Sequence, residues 1–185
     1  MALLILDRDG VINRDSSDYI RSVRDWQPLP GSIAAIAQLS QAGYRIAVAT
    51  NQSGLARGYF DLADLEAIHE LLCQQVEQRG GRIEAIAYCP HLPDAGCHCR
   101  KPATGLLRAI ERELGESARG AYFIGDSLKD LQAATDFGCV PILVTTGNGA
   151  ATLAALRANN AALANAAALA VYPDLAAAAR DLLRH

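Results

Sequence analysis

Short apolar runs alternate with stretches of helical spacing along most of the chain, and a polar residue stands directly after nearly every run. Residues 3–6, Leu-Leu-Ile-Leu, are continuously apolar and stop at Asp7, the pattern of a central strand buried on both faces. Residues 46–50, 83–88, 121–124 and 141–144 read as further strands. Between them, Ile33, Ile36 and Leu39 recur on one face of a helix over residues 32–42 that stops at Gly43. Asp61 is placed to cap a helix running to Gln78, with Leu65, Ile68, Leu72 and Val76 on one face. Residues 106–114 and 128–137 are also helical in pattern. The last 36 residues hold 16 alanines yet keep a helical period. They predict a helix, a short edge strand near Ala170-Val171-Tyr172, and a closing helix from Asp174.

Strands alternating with helices predict an α/β fold with a doubly wound, mostly parallel sheet and right-handed crossovers. In such sheets ligands bind outside the carboxyl ends of the strands. Asp7, Thr50, a cysteine-rich loop and Gly125-Asp126 each follow an expected strand, so four polar clusters converge on one edge.

A length of 185 residues suits a single domain spanning residues 1–185, with no linker, repeat or second domain of any size. With 51% apolar and 20% charged residues, a packed core is expected. The net charge of −3 argues against general binding to nucleic acid or anionic membranes. No apolar run reaches the roughly 18 residues of a membrane span, and the first residues lack the basic region and cleavage site of a signal peptide. A cytoplasmic protein is expected. The small aromatic share and the lack of a sustained heptad point to a monomer.

Of five cysteines, Cys89, Cys97 and Cys99 fall in one short loop beside His91, which favours a metal over a disulfide framework. Cys₃His ligation over residues 89–99 fits a tetrahedral zinc site with no open position, hence a structural one. His98, between two ligands, is expected to point away, and Cys73 and Cys139 to lie in the core.

Three further clusters carry chemistry. In Asp7-Arg8-Asp9-Gly10, two carboxylates two residues apart can share a divalent metal and a substrate, one attacking and one moving protons; the same tetrapeptide also suits a solvated turn. Thr50-Asn51-Gln52-Ser53-Gly54 can cradle a phosphate, or simply cap a helix. In Gly125-Asp126-Ser127-Leu128-Lys129-Asp130, Asp126 can complete a Mg²⁺ site with Asp7 and Asp9. Asp130 could orient Lys129, Ser127 or a metal-bound water, or act as a helix-start acid. Only two of the 17 basic residues are lysines, Lys101 and Lys129, and Lys101 directly follows the last ligand cysteine and Arg100. An ordered loop would hold its ammonium against a phosphoryl group.

Asp-x-Asp-Gly, the strand-end Thr, Lys-Pro and Gly-Asp-Ser-x-x-Asp stand in order over residues 7–130 and resemble the haloacid dehalogenase superfamily of phosphotransferases. The resemblance implies a Rossmann-like core, Mg²⁺ and an aspartyl-phosphate intermediate. Asp7 would be the nucleophile, Asp9 the general acid/base, and Thr50 and Lys101 would hold the transferring phosphoryl group. Asp7, the Asp9 carbonyl and Asp126 would bind Mg²⁺. Thr-Asn-Gln-Ser-Gly-x-Ala-Arg-Gly-x-Phe, Cys-Pro-His and Cys-x-Cys-Arg-Lys-Pro are similar to the heptose bisphosphate phosphatases within it, with histidinol-phosphate phosphatases as the rival branch. That branch implies a minimal cap made of loops, a sugar phosphate as partner, and a place in making nucleotide-activated heptose for bacterial surface polysaccharide. Asn51, Gln52, Ser53, Arg57 and Arg100 become candidate substrate contacts. Asp15 and Asp18 join them, in a segment that departs from the branch's usual Asp-His-Gly-Tyr. A zinc-stabilised binding module that keeps the fold without activity is the alternative from another class.

Overall fold

A computed structural model describes residues 2–158, 161–164 and 166–184. Six strands are joined by helices: β1 (Leu3–Leu6), α1 (Ser32–Gln41), β2 (Arg45–Asn51), α2 (Leu62–Glu77), β3 (Ala85–Cys89), α3 (Gly105–Leu114), β4 (Tyr122–Gly125), α4 (Leu128–Phe137), β5 (Val140–Val144), α5 (Gly149–Arg157), β6 (Ala170–Tyr172) and α6 (Leu175–Leu182). The strand order is β3-β2-β1-β4-β5-β6 and every pairing is parallel. This is the Rossmann-like order, with its reversal point between β1 and β4. The expectation of a mostly parallel sheet becomes a fully parallel one among the described residues.

Alternation along the strands divides the core. Leu4, Leu6, Ile46, Val48, Ile124, Ile142 and Val144 face one way and pack under α1, α2 and α6. Leu3, Ile5, Ala47, Ala49, Ala85, Ala87 and Phe123 face the other way, toward α3 and α4. On that side β2 and β3 present alanine, so α3 and the cysteine loop before it approach the sheet closely.

The helices begin and end where the polar residues dictate. Asp61 accepts from the Asp64 N–H at 2.9 Å while the Asp64 carboxylate accepts from the Asp61 N–H, a reciprocal cap worth about 1 kcal/mol. Asp174 caps α6 through the Ala177 N–H at 2.7 Å. Gly43 follows α1 with a φ of 96°. The alanine-rich tail supplies the expected edge strand, β6, and its helix α6 packs against α1.

Candidate active site

β1 ends by delivering Asp7 to the reversal point of the sheet, its N–H donating to the Ile124 carbonyl of β4 at 2.9 Å. The chain then turns sharply, with the N–H groups of Ile12 and Asn13 both donating to the Arg8 carbonyl. Gly10 has a φ of 84°, and a Cβ there would overlap the Asp126 carboxylate; Gly147 crowds the same group from the other side. Asp126 Oδ2 accepts from the Asn148 N–H at 2.7 Å, and among the described residues no donor reaches Oδ1.

Lys101 is buried, with Nζ donating to the Ala49 carbonyl at 2.7 Å. The same nitrogen lies 2.8 Å from Asp7 Oδ1 and 2.6 Å from Asp130 Oδ1. Its position is set from β2: Asn51 Oδ1 accepts from the Lys101 N–H at 3.0 Å and Asn51 Nδ2 donates to the Lys101 carbonyl. Asp130 does two jobs. Its Oδ2 accepts from the Ser127 N–H and hydroxyl at the start of α4, while Oδ1 faces the lysine. Of the options left open by the sequence, Asp130 therefore takes Ser127 and the helix cap, and adds Lys101 in place of Lys129.

Asp7, Asp126 and Asp130 bring one oxygen each within 4.8 Å of one another, all three buried. Three carboxylates share one ammonium here, a formal excess of two negative charges when all three are ionised. Burial pushes the Asp7 carboxyl well above its usual range, and the charge of Asp130 pushes the same way while Lys101 opposes them. Burial and Asp130 likewise raise Asp126 to about 7. Burial alone would lower the Lys101 ammonium, but Asp130 and Asp7 hold it above its ordinary value. Hard oxygen donors with two negative charges in excess fit Mg²⁺.

Asp9 stands apart from this cluster. Its carboxylate accepts from Arg8 Nε and Nη2 at 3.1 and 2.9 Å, from Asn13 Nδ2 at 2.9 Å, and from Gln52 Nε2 at 2.9 Å. Burial disfavours its charge, yet the Arg8 guanidinium and these donors outweigh it and hold the carboxyl below the usual range. Gln52 also donates to Thr50 Oγ1 at 2.8 Å.

Cys89, His91, Cys97 and Cys99 form the second donor group, again within 4.8 Å. The sulfur separations are 3.2, 3.6 and 3.7 Å, and His91 Nδ1 lies 3.2 Å from Cys99 Sγ. The edge of a tetrahedron built on zinc–sulfur bonds of about 2.3 Å is close to these values. The Arg100 N–H points at Cys97 Sγ. His98 stands outside the group, as expected, and lines a separate groove with Arg108 and Glu111. Cys139 is buried and Cys73 half-buried.

A cavity of about 390 Å³ opens over the carboxylates. Asp7, Asp9, Asp15, Thr50, Asn51, Gln52, Arg100, Lys101 and Asp126 all line it, as does Lys129. Asp18 lines the adjoining groove with Arg14, Arg21 and Arg24. Ser53 is buried beneath the wall, and Arg57 is exposed outside the cavity. A larger groove of about 550 Å³ between α1 and α2 carries no nucleophile or acid, so size does not mark the site. Three participants escape sequence reasoning. Asn148 links Asp126 to Asp15, at 3.2 Å from Asp15 Oδ2, and only its place after β5 hinted at it. Arg8 stood in plain view between the two acids. His69 looked like one more position on α2.

The HAD-hydrolase-like family matches over residues 98–178. D-glycero-beta-D-manno-heptose-1,7-bisphosphate 7-phosphatase from Pseudomonas aeruginosa is 58% identical over 152 residues, covering 82% of this chain and 85% of the relative. The enzyme of that name from Pseudomonas putida is 51% identical over 99% of this chain and its own full length. Among solved structures, D,D-heptose 1.7-bisphosphate phosphatase from B. bronchiseptica, complexed with magnesium and phosphate, superposes with a TM-score of 0.91 at 50% identity, covering 100% of this chain and 99% of its own.

Proposed function

Because this chain belongs to the D-glycero-beta-D-manno-heptose-1,7-bisphosphate 7-phosphatase family of haloacid-dehalogenase-like hydrolases, we propose that it hydrolyses the C7 phosphate of a heptose 1,7-bisphosphate, preferring the β anomer. The chain is a phosphoric monoester hydrolase. The observation that carries the reading is the buried ammonium of Lys101 held between Asp7 and Asp130 beside Asp126.

Asp7 uses its lysine-paired carboxylate to attack phosphorus in line. The new bond joins a carboxylate oxygen to phosphorus, and the bond from phosphorus to the sugar oxygen breaks. Asp9 gives its proton to that leaving oxygen, then takes a proton from the water that attacks the aspartyl phosphate and frees Asp7. Asp9 is held as a carboxylate by Arg8, Asn13 and Gln52 in the free enzyme. An arriving phosphate dianion, adding negative charge beside it, favours the protonated form the first step needs. Thr50 and Lys101 hold the phosphoryl oxygens as charge moves onto them. Asp7, Asp126 and the Asp9 carbonyl would hold Mg²⁺, with Asp130 close by. The ion would offset repulsion between the carboxylate and the phosphate.

The second phosphate of the substrate calls for cations farther out, and Arg100 and Lys129 line the cavity where Arg57 does not. Tyr19 and Tyr59 meet edge to face at 5.2 Å, with Arg21 stacked 4.7 Å over Tyr59, so the loops after β1 and β2 join into one wall. Cys89, His91, Cys97 and Cys99 would hold zinc as a structural tie that orders the loop leading to Lys101. Thiols kept free for a metal suit a reducing, cytoplasmic setting.

Phosphate release with Mg²⁺ from each anomer of heptose 1,7-bisphosphate, with histidinol phosphate alongside, tests the proposal. Fast turnover of the β anomer is expected. Preference for histidinol phosphate would overturn the substrate while leaving the chemistry in place.

A further inference from the structure

Arg8 is among the largest fully buried side chains, at 0% exposure, directly between two residues of the reaction centre. The alternation that turns Leu4 and Leu6 toward α2 carries on to Arg8. Every nitrogen of its guanidinium has a partner. Nε and Nη2 meet both oxygens of Asp9, and Nη1 lies 3.2 Å from His69 Nε2. His69 lies on the buried face of α2, its ring 6.2 Å from that of Tyr88 on β3.

An ion pair with its guanidinium this deep is a poor way to gain stability, since taking that charge out of water is costly. An apolar residue at position 8 would fill the space more cheaply. The guanidinium does offer a planar fork that fixes a carboxylate in two directions. It can do so only if its far end is also held, because an unpaired buried N–H would draw the group toward another acceptor. His69 holds that end. Burial, reinforced by the charge of Arg8, keeps the imidazole neutral, with its value pushed down to about 3, so Nε2 is free to accept from Nη1.

We propose that His69 and Arg8 form a buried positioning relay that anchors the Asp9 carboxylate to helix α2. His69 touches neither substrate nor metal and acts only through Arg8. α2 starts just after the loop that carries Gln52 and Tyr59, so the relay ties the aim of the proton-transferring group to the wall of the cavity. The inference rests on Asp9 being the general acid/base.

The test compares a leaving group that needs a proton with one that does not. His69→Leu removes the acceptor, while His69→Gln restores one. Each variant is measured for kcat and KM on heptose 1,7-bisphosphate, and for single-turnover release of nitrophenolate from p-nitrophenyl phosphate. For His69→Leu we expect kcat on the sugar phosphate to fall about tenfold or more, as loss of positioning does. KM and nitrophenolate release should change less than about twofold, and His69→Gln should recover most of the lost kcat. Equal losses on both substrates, an unchanged kcat, or failure of Gln to rescue would overturn the relay. Asp9→Asn in the same assays separates the two layers. If it selectively slows the sugar phosphate and His69→Leu does not, only the relay fails; if Asp9→Asn shows no selectivity, the reading of Asp9 falls and takes the relay with it.

Discussion

The thiol loop draws its four donors from residues 89–99, whereas the carboxylate site gathers Asp7, Thr50 and Asp126 from three separate strand ends, Lys101 from the loop before α3 and Asp130 from a helix start. The first is a local arrangement of three thiols and an imidazole that closes on itself. The second is assembled by the sheet, is rich in carboxylates, and opens into a cavity. A group that only has to hold the chain in place can be written into one loop. A group that has to receive a substrate needs walls from several directions, and the reversal of strand order at β1 and β4 supplies them. Lys101 joins the two, since it follows the last thiol by two residues and ends between Asp7 and Asp130.

The largest expected effect separates the two regions by activity. Asp7→Asn should lower phosphate release by about a thousandfold or more. Melting temperature should hold or rise, because the change removes a buried anion pressed by Asp130 and Asp126. Retention of a tenth of the activity would place the nucleophile elsewhere. Next, stripping zinc and restoring Mg²⁺ should lower the melting temperature by about 10 °C, the equivalent of roughly 3 kcal/mol in a chain of this size. Activity should fall at least as far as the folded fraction does, because the same loop leads to Lys101. Unchanged melting without zinc would show that the thiols are ordinary packing.

The smallest effect concerns His69, which packs beside Tyr88 next to the first thiol and touches Arg8 next to Asp7. Its value falls from 6.5 to about 3 on folding, through burial first and the charge of Arg8 second. Between those values the unfolded chain binds the extra proton, so stability is fully present above 6.5 and is lost as pH falls toward 3. This group should remove about 1 kcal/mol between pH 6.5 and 5.5. Urea unfolding of His69→Gln should show a flatter acid limb over that interval, and parallel limbs in the two proteins would count against a buried neutral imidazole.

The local features were readable along the chain. The run at residues 3–6, the cap at Asp61 and the edge strand at 170–172 depend on neighbours in sequence, and the structure has them in place. The cysteine cluster was equally plain, because its ligands share one loop. Other residues owe their roles to long-range contacts. Asp130 reads as a helix-start acid and is one, but its second oxygen meets a lysine 29 positions earlier in the chain. Arg57 looked like a substrate contact and lies outside the cavity, because the turn after β2 directs it to solvent.

Residue types and spacings by themselves determined the order of strands and helices, the edge at which polar groups gather, and the separation of a thiol cluster from a carboxylate cluster. Those properties follow from hydrophobic period, turn chemistry and ligand softness, which act over a few residues. Only the tertiary structure decided that Asp9 is held by Arg8 and that His69 stands behind it. It also decided that Asn148 closes the site beside Asp126 and that three carboxylates share one ammonium. Such contacts join segments that no periodicity relates, and their strength comes from a dry interior that exists only once the sheet and its helices have closed around them.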